Sequence, residues 1–319
     1  MPALECKQDT PDAGKLSHAI FLKNVLYATD FSPTSESALP YATAICRHFA
    51  GTLHVAHVVP DTNVLLMAGG DDYASIETLY DDAQALALER LRQVAGRLGK
   101  IPYQTYVRRG RVWDNLSAIV AENRIDMIVV GTHGRTGLGK VLLGSVAEDI
   151  LRHASCPVLT VGPGVCGRVK LPDVYGEGTN LAPFELELHN ILYATNFAPT
   201  SLMVAPLAIA LAEEFRSRLT LMSVLDNYTN LGTRPGPIED GVRHLQELVP
   251  TDNRLAYTPE IVMDLGSAPE CIVNAAADRE ADLIVLAARP ANGTTHVPWS
   301  TVHRIVANAT CPVLTVAGS

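Results

Sequence analysis

The sequence lacks any apolar run of the roughly 18 residues that a membrane-spanning helix needs. It also lacks an excess of basic residues, since 25 Lys and Arg stand against 34 Asp and Glu and the formal net charge is -9. General nucleic-acid binders are usually basic. These absences argue against membrane and nucleic-acid partners, but not against a small anionic ligand held at one local site.

Catalytic and metal-binding motifs are scarce as well. The six cysteines form no C-x-x-C pair and several lie within apolar runs, so we expect reduced, buried thiols in a cytoplasmic protein rather than disulfides or zinc. The chain has no paired carboxylates, no H-E-x-x-H motif and no nucleophile elbow. Residues 1–19 lack the pattern of a signal peptide, and we expect them to form a loose polar tail.

Length and periodicity predict two α/β domains. At 319 residues with 47% apolar content, the chain can build two full cores. Strand and helix patterns alternate, which indicates an open, doubly wound (Rossmann-like) parallel sheet of five strands in each domain. In the first half the predicted strands are 24–30, 52–59, 103–107, 126–130 and 157–161, and the predicted helices are 35–50, 75–98, 112–122 and one opening at Ser145.

An internal repeat supports this division. The stretch Asn24–Val58, which begins NVLYATDF, recurs as Asn190–Val224, which begins NILYATNF. Near the ends of the halves, ASCPVLTV at 154–161 matches ATCPVLTV at 309–316. Two matching blocks in the same order indicate a duplicated domain. The predicted organisation is a tail (1–19), a first domain (20–163), a Gly- and Pro-rich linker (164–186) and a second domain (187–319).

A glycine-rich connection follows the fourth predicted strand, and four interpretations compete for it. A P-loop requires Ser or Thr where Val141 stands, and a dinucleotide fingerprint requires Gly or Ala where Leu142 stands. A purely structural interpretation makes Ser145 and Glu148 a capping box. In this interpretation Val146 lies on the helix face that packs on the sheet. The interpretation does not explain why five glycines lie in one connection.

The fourth interpretation is a resemblance. Gly131-x2-Gly134-x9-Gly144-Ser145, between a buried strand and a helix, resembles the ATP-binding motif of the universal stress protein family. LYATDFS (26–32), HVV (57–59) and CPVLTV (156–161) resemble that family's first, second and last strands. The resemblance spans nearly all of both halves.

The resemblance implies a role for each matching position. Ala28, Thr29, Asp30 and Val58 would lie by the adenine and ribose. The ribose and first phosphates would be lined by Val130, Gly131, His133 and Gly134. The outer phosphates would be held at a helix N-terminus by Gly144, Ser145 and Val146, with Arg135 and Lys140 supplying positive charge. Mg²⁺ is expected with ATP, although no ligand for it is evident.

Simpler roles stay open for several of these residues. Asp30 could cap the helix after the first strand, and His133 could be a polar loop residue rather than a general base. Arg135 and Lys140 could be solvated loop charges. The basic run of Arg108, Arg109 and Arg111 is interpreted as surface.

The second half departs from the motif. Asn196 replaces Asp30, Ala287 replaces Gly131, Pro290 replaces Gly134 and Trp299 replaces Gly144, while Ser300 is kept. A proline removes an N–H donor, and larger side chains fill space that a phosphate needs. We therefore expect no ATP, or weaker ATP binding, in the second domain.

The last strands of the two halves are expected to pair within the chain around a pseudo-twofold axis, because family subunits commonly dimerise through this strand. Homodimer formation is a further possibility. The leading functional prediction is an ATP-binding stress protein with a sensing or regulatory role and at most slow hydrolysis. The alternatives are a nucleotide-free interaction module and an enzyme that hydrolyses ATP or transfers adenylate.

Overall fold

The structure is a computed structural model that describes residues 20–61, 73–132, 143–162, 164–165, 185–225, 236–289 and 299–317. The predictions for the N-terminal tail, for most of the loop at 61–74 and for most of the linker lie outside the described residues.

Strands and helices alternate in both halves, as the patterning predicted. The first half contains β1 (Asn24–Ala28), α1 (Pro33–Glu36), α2 (Leu39–His48), β2 (Thr52–Val59), α3 (Tyr73–Gly96), β3 (Tyr103–Arg109), α4 (Val112–Asn123), β4 (Met127–Gly131), α5 (Ser145–His153) and β5 (Val158–Val161). The second half contains β6 (Asn190–Ala194), α6 (Pro199–Leu202), α7 (Ala205–Glu214), β7 (Arg218–Leu225), α8 (Gly236–Glu247), β8 (Glu260–Leu265), α9 (Ala268–Asp278), β9 (Leu283–Arg289), α10 (Trp299–Asn308) and β10 (Val313–Ala317).

The single helix predicted over 35–50 is wrong, because two helices occupy this stretch. Helix α1 ends at Glu36, and α2 begins at Leu39 with Pro40 in its first turn. A proline has no N–H to donate to the residue four positions earlier and its ring obstructs that carbonyl, so a continuous helix cannot pass through Pro40. The second half repeats the break between α6 and α7.

The sheet has the doubly wound order β3-β2-β1-β4-β5 in the first half, and all these neighbours are parallel. The second half repeats the order, and β5 pairs with β10 antiparallel, so the five strands of each half belong to one ten-stranded sheet. Leu159 lies opposite Leu314, its own counterpart in the repeat.

Apolar residues cover both faces of the sheet. On one face, residues such as Tyr27 and Val129 pack against α2 and α3. On the other face, Leu26, Ile128 and their neighbours pack against buried residues of α4 and α5. Successive residues of a strand point to opposite faces, which explains how strands with continuous apolar runs fill two cores at once.

The four cysteines that the structure describes are not joined in disulfides. Cys46 and Cys311 are buried, whereas Cys156 and Cys271 are partly buried. Burial raises the pKa of the Cys46 thiol to about 12 and that of Cys156 to about 11. Among the described helices, none is long and apolar enough to cross a membrane.

Candidate functional site

The candidate site lies where the strand order reverses, between β1 and β4. In open parallel sheets the crevice at this point, beside the carboxyl ends of the strands, is the usual ligand position. Ala28 and Val130 are direct partners across β1 and β4, and Val58 lies near the end of neighbouring β2. All three side chains are buried in the core on the α4 and α5 side. They form the apolar floor of the crevice.

A tight turn carries Thr29 and Asp30 out of β1. The Thr29 Oγ1 accepts a hydrogen bond from the N–H of Phe31 at 3.0 Å, and the Asp30 Oδ1 accepts one from the N–H of Ser32 at 2.9 Å. Phe31 takes the left-handed conformation, with φ at 60°. The cap of α1 is Ser32, whose Oγ accepts the N–H of Ser35 at 3.1 Å. Asp30 therefore holds the turn and does not cap the helix, contrary to the simpler role considered for it.

Gly131 ends β4 directly beneath α1. A Cβ added there would lie 2.5 Å from the carbonyl oxygen of Thr34 and 2.8 Å from the Cα of Ser35. Backbone atoms cannot give way cheaply, so this close approach requires a glycine. Packing alone accounts for Gly131, independently of any ligand.

Helix α5 begins at Ser145 with Gly144 as its N-cap, in an extended conformation with φ at -65° and ψ at 146°. The Gly144 N–H donates to the carbonyl of Thr132 at 2.6 Å, which ties the helix start to the end of β4. Glycine has no side chain to cap the helix, so the first N–H groups of α5 are not satisfied by an N-cap side chain.

The capping box predicted from Ser145 and Glu148 is wrong. Ser145 is the first helical residue rather than the cap, and the Glu148 carboxylate instead accepts from Arg152, 2.6 Å from Nη2. The predicted packing of Val146 on the sheet is also wrong, because Val146 is 38% exposed. Ala147, Ile150 and Leu151 make the buried face of α5.

His133, Gly134 and Arg135 lie outside the described residues, as does Lys140. The other predicted residues lie at or just after the carboxyl ends of β1, β2 and β4, or in the first turn of α5 and its N-cap: Ala28, Thr29, Asp30, Val58, Val130, Gly131, Gly144, Ser145 and Val146.

His57 adjoins this crevice and was not singled out from the sequence. Its Nδ1–H donates to the carbonyl of Thr29 at 2.8 Å, and its ring lies 4.5 Å from that of Phe31. The guanidinium of Arg90 lies 5.5 Å from the Phe31 ring. A signal existed, since His57 directly precedes Val58 at the end of β2. A half-buried histidine there can orient the turn that carries Asp30.

The basic run that begins within the last residues of β3 is ion-paired. Arg109 makes two hydrogen bonds to Glu77, at 2.9 and 3.1 Å, and its guanidinium lies 3.4 Å from the centre of the Tyr80 ring. This pairing lowers the pKa of Glu77 and raises that of Arg109. Arg108 pairs with Glu122 and Arg111 with Asp114. These contacts agree with the interpretation of the run as surface.

The second half keeps the turn and changes its chemistry. Asn196 accepts the N–H of Ala198 at 3.1 Å, and Phe197 has φ at 61°, so the turn geometry of the first half is preserved without the negative charge. Ala287 occupies the position of Gly131, and α10 begins at Trp299, where the first half has Gly144. Pro290 lies outside the described residues.

No group of three or more His, Cys, Asp or Glu side chains within the described ranges could hold a metal ion. A metal at this crevice would therefore need ligands beyond these side chains, such as the phosphate oxygens of a bound nucleotide.

Comparisons with known proteins agree with the repeat. Relatives match a little less than half of the chain: a universal stress protein of Methanocaldococcus jannaschii is 30% identical over 139 residues, covering 44% of this chain and 81% of that protein. Universal stress protein A homolog 1 of Coxiella burnetii is 34% identical over 145 residues, covering 44% of this chain and 95% of that protein.

Solved structures also resemble nearly the whole chain in fold. The crystal structure of a universal stress protein from Archaeoglobus fulgidus aligns with a TM-score of 0.64 at 18% identity, covering 94% of this chain and 98% of that one. The sequence model of the universal stress protein family matches this chain twice, at residues 22–162 and 187–317. Because these two matches span most of its length, the chain belongs to the universal stress protein family.

Proposed function

We propose that the first half, taken as a domain over residues 20–163, binds ATP in the crevice between β1 and β4 and acts in sensing or regulation. Ala28, Thr29, Asp30 and Val58 hold the adenine and ribose. The ribose and first phosphates lie along Val130, Gly131, His133 and Gly134, and the outer phosphates lie at Gly144, Ser145 and Val146, with Arg135 beside them.

The observation that carries this proposal is the start of α5. Its N-cap is a glycine without a capping side chain, and it is tied to the end of β4 at the reversal of strand order. A helix N-terminus presents backbone N–H groups and about half a positive charge to an anion. The buried floor of Ala28, Val58 and Val130 lies at the same edge and offers an apolar surface to a base.

A regulatory role suits the chemistry better than rapid catalysis. The chain contains no paired carboxylates, H-E-x-x-H motif or nucleophile elbow, so hydrolysis is slow at most. Mg²⁺ enters with the nucleotide, held mainly by its phosphates, which is how proteins commonly bind this ion.

The second half, taken as a domain over residues 187–319, is the built-in partner of the first and does not bind ATP, or binds it more weakly. Asn196 removes the negative charge of Asp30, and Ala287 places a methyl group where the first half has Gly131. In solution the two halves pair through β5 and β10, which leaves these two strands with no free edge. Homodimer formation and the cytoplasmic location stay predictions.

Thermal unfolding with and without ATP tests the nucleotide proposal, and Ser145→Pro is the informative variant. Proline is favoured at the first helical position, and the extended Gly144 before it is compatible with proline. The substitution therefore keeps α5 and removes one N–H donor. We expect ATP at 100 times its Kd to stabilise the wild type by about 2.7 kcal/mol, and Ser145→Pro to lose most of this shift.

Ser145→Ala is the matched control because it removes the hydroxyl and retains the N–H. It should keep more of the ATP-dependent shift than Ser145→Pro. A wild-type protein with no shift, and with no adenine nucleotide retained through purification, favours the nucleotide-free interaction module. A steady turnover well above about one per minute that is lost in Asp30→Ala favours the enzyme.

A further inference from the structure

The two halves meet at residues that are each other's counterparts in the repeat. With Asn24 aligned to Asn190, His48 corresponds to Glu214 and Phe49 to Phe215. In the structure, His48 Nε2 lies 2.8 Å from the Glu214 Oε1, and the Phe49 and Phe215 rings lie 6.2 Å apart, edge to face. The pseudo-twofold axis therefore passes between the end of α2 and the end of α7.

The strand contact at the same axis is identical from either side. Both last strands read VLTV, at Val158–Val161 and at 313–316. The Thr160 hydroxyl donates to the carbonyl of Val313 at 3.0 Å, and the Thr315 hydroxyl donates to that of Val158 at 3.2 Å. Because the two strands are interchangeable, strand pairing alone cannot distinguish a first half from a second half.

The helix ends, in contrast, differ in charge. The first half has Arg47-His48-Phe49 where the second has Glu213-Glu214-Phe215. The aromatic residue is common to both, and the preceding pair is basic in one half and acidic in the other. Besides its contact with Glu214, the His48 ring stacks on Phe215 at 4.4 Å.

Pairing of two first halves, or of two second halves, would place side chains on the axis that do not form a favourable contact. Two second halves would bring two glutamates to the position now held by His48 and Glu214, and two first halves would bring two histidines there without a carboxylate. Only the unlike pairing provides an N–H donor opposite a carboxylate. The side chains of His48 and Glu214 remain 30% and 40% exposed, so the preference is modest and weakened by salt.

We propose that His48 and Glu214 determine the pairing partner: they direct the first half to a second half, in the same chain or in another copy of it, and against a like half. The pairing of β5 with β10 holds two halves together, and the ends of α2 and α7 determine which half pairs with which. This inference rests on the proposed pairing of the halves and is independent of ATP binding.

A double-mutant cycle at His48 and Glu214, made in the full chain, tests whether these two residues determine the pairing partner. His48→Glu places two carboxylates on the axis, Glu214→Lys places two basic groups there, and the double variant restores opposite charges in reversed order. We expect each single variant to unfold at a lower urea concentration than the wild type in low salt, and the double variant to recover most of the loss. In high salt these differences should shrink. Additive losses in the double variant would overturn the proposal.

Partner choice is read directly by refolding the two single variants together, one of them isotopically labelled, and counting dimers by native mass spectrometry. A mixed dimer can place the introduced glutamate against the introduced lysine and the native His48 against the native Glu214. Mixed dimers should therefore exceed the like dimers about fivefold in low salt.

Labelled and unlabelled wild type is the control for this experiment and should mix statistically. A statistical mixture of the two variants contradicts the proposal, and if no dimers form, the urea cycle decides. The ATP shift of the wild type is unaffected by either result.

Discussion

At the scale of single residues, Gly131 shows how a motif glycine can be required by packing. The backbone of α1 covers the end of β4 so closely that a methyl group would lie 2.5 Å from the Thr34 carbonyl oxygen. Helix α1 is in turn joined to β1, since the Tyr27 hydroxyl donates to the Ser35 carbonyl at 2.9 Å. The absence of a side chain at Gly131 therefore allows α1, and the Asp30 turn that leads into it, to pack closely against β4.

We expect Gly131→Ala to lower the free energy of unfolding by about 1–3 kcal/mol without any nucleotide present, because the added methyl group overpacks against backbone. Urea unfolding of the nucleotide-free protein measures this loss. Gly96→Ala is the control, since its Cβ would have no neighbour within 4 Å, and it should leave stability unchanged or slightly raised. Equal effects of the two substitutions would show that Gly131 is not constrained by packing.

His54 is a second residue whose environment has a measurable consequence. It is buried, with Nδ1 3.0 Å from the Tyr106 hydroxyl and Nε2 3.3 Å from the Asn24 Oδ1. Burial lowers the pKa of His54 below its ordinary value of 6.5. The folded protein thus holds this imidazole neutral at a pH where the unfolded chain protonates it.

Because the unfolded state binds more protons in this range, stability is retained above pH 6.5 and falls as the pH drops from 6.5 toward the folded pKa of His54. We expect His54→Gln to flatten this part of the stability profile, measured by urea unfolding between about pH 7 and pH 5. His153→Gln, at an exposed position, serves as the control. A profile equally steep in His54→Gln and wild type would refute the assignment.

At the scale of elements, the turn after β1 separates structural from chemical requirements. The second half forms the same turn with Asn196 in place of Asp30. In both turns the side-chain oxygen accepts the N–H of the residue two positions later, and the phenylalanine between them takes the left-handed conformation. The turn therefore does not require the carboxylate charge, and this charge is a feature that distinguishes the first half from the second.

Asp30→Asn should consequently keep the melting temperature of the nucleotide-free protein near that of the wild type. If Asp30 accepts a hydrogen bond from the ribose as proposed, ATP affinity should fall about tenfold, because a neutral amide oxygen replaces the charged acceptor. Calorimetric titration with ATP measures the affinity. The reciprocal Asn196→Asp is the matched variant and should not create a site, because Ala287 remains in the second half. Unchanged affinity in Asp30→Asn would remove Asp30 from the proposed site.

The elements also show which features were predictable from sequence. Alternating patterns predicted the order of strands and helices, and β2 agrees with its predicted bounds. The break before α2 had a local signal in Pro40 that the helical spacing obscured. The exposure of Val146 and the constraint on Gly131 had no such signal, because they depend on where α5 and α1 meet the sheet.

At the scale of the whole molecule, duplication explains the architecture. Each half alone would leave its last strand as an edge, and β5 with β10 removes two edges at once. The ends of the ten-stranded sheet are then β3 and β8. The repeat predicted two related sheets. The expectation that their last strands pair came from the family resemblance, because the register centred on Leu159 and Leu314 is a long-range feature that local patterns do not reveal.

The antiparallel contact of β5 with β10 has a genetic consequence. The strands within each half are parallel to one another. The carboxyl ends of the strands in the first half therefore point in the opposite direction to those in the second half. The crevice beside Asp30 and the altered one beside Asn196 therefore face away from each other. Mutations at one end of the sheet would therefore leave the residues at the other end unchanged, so after duplication the two crevices of a single polypeptide could diverge independently.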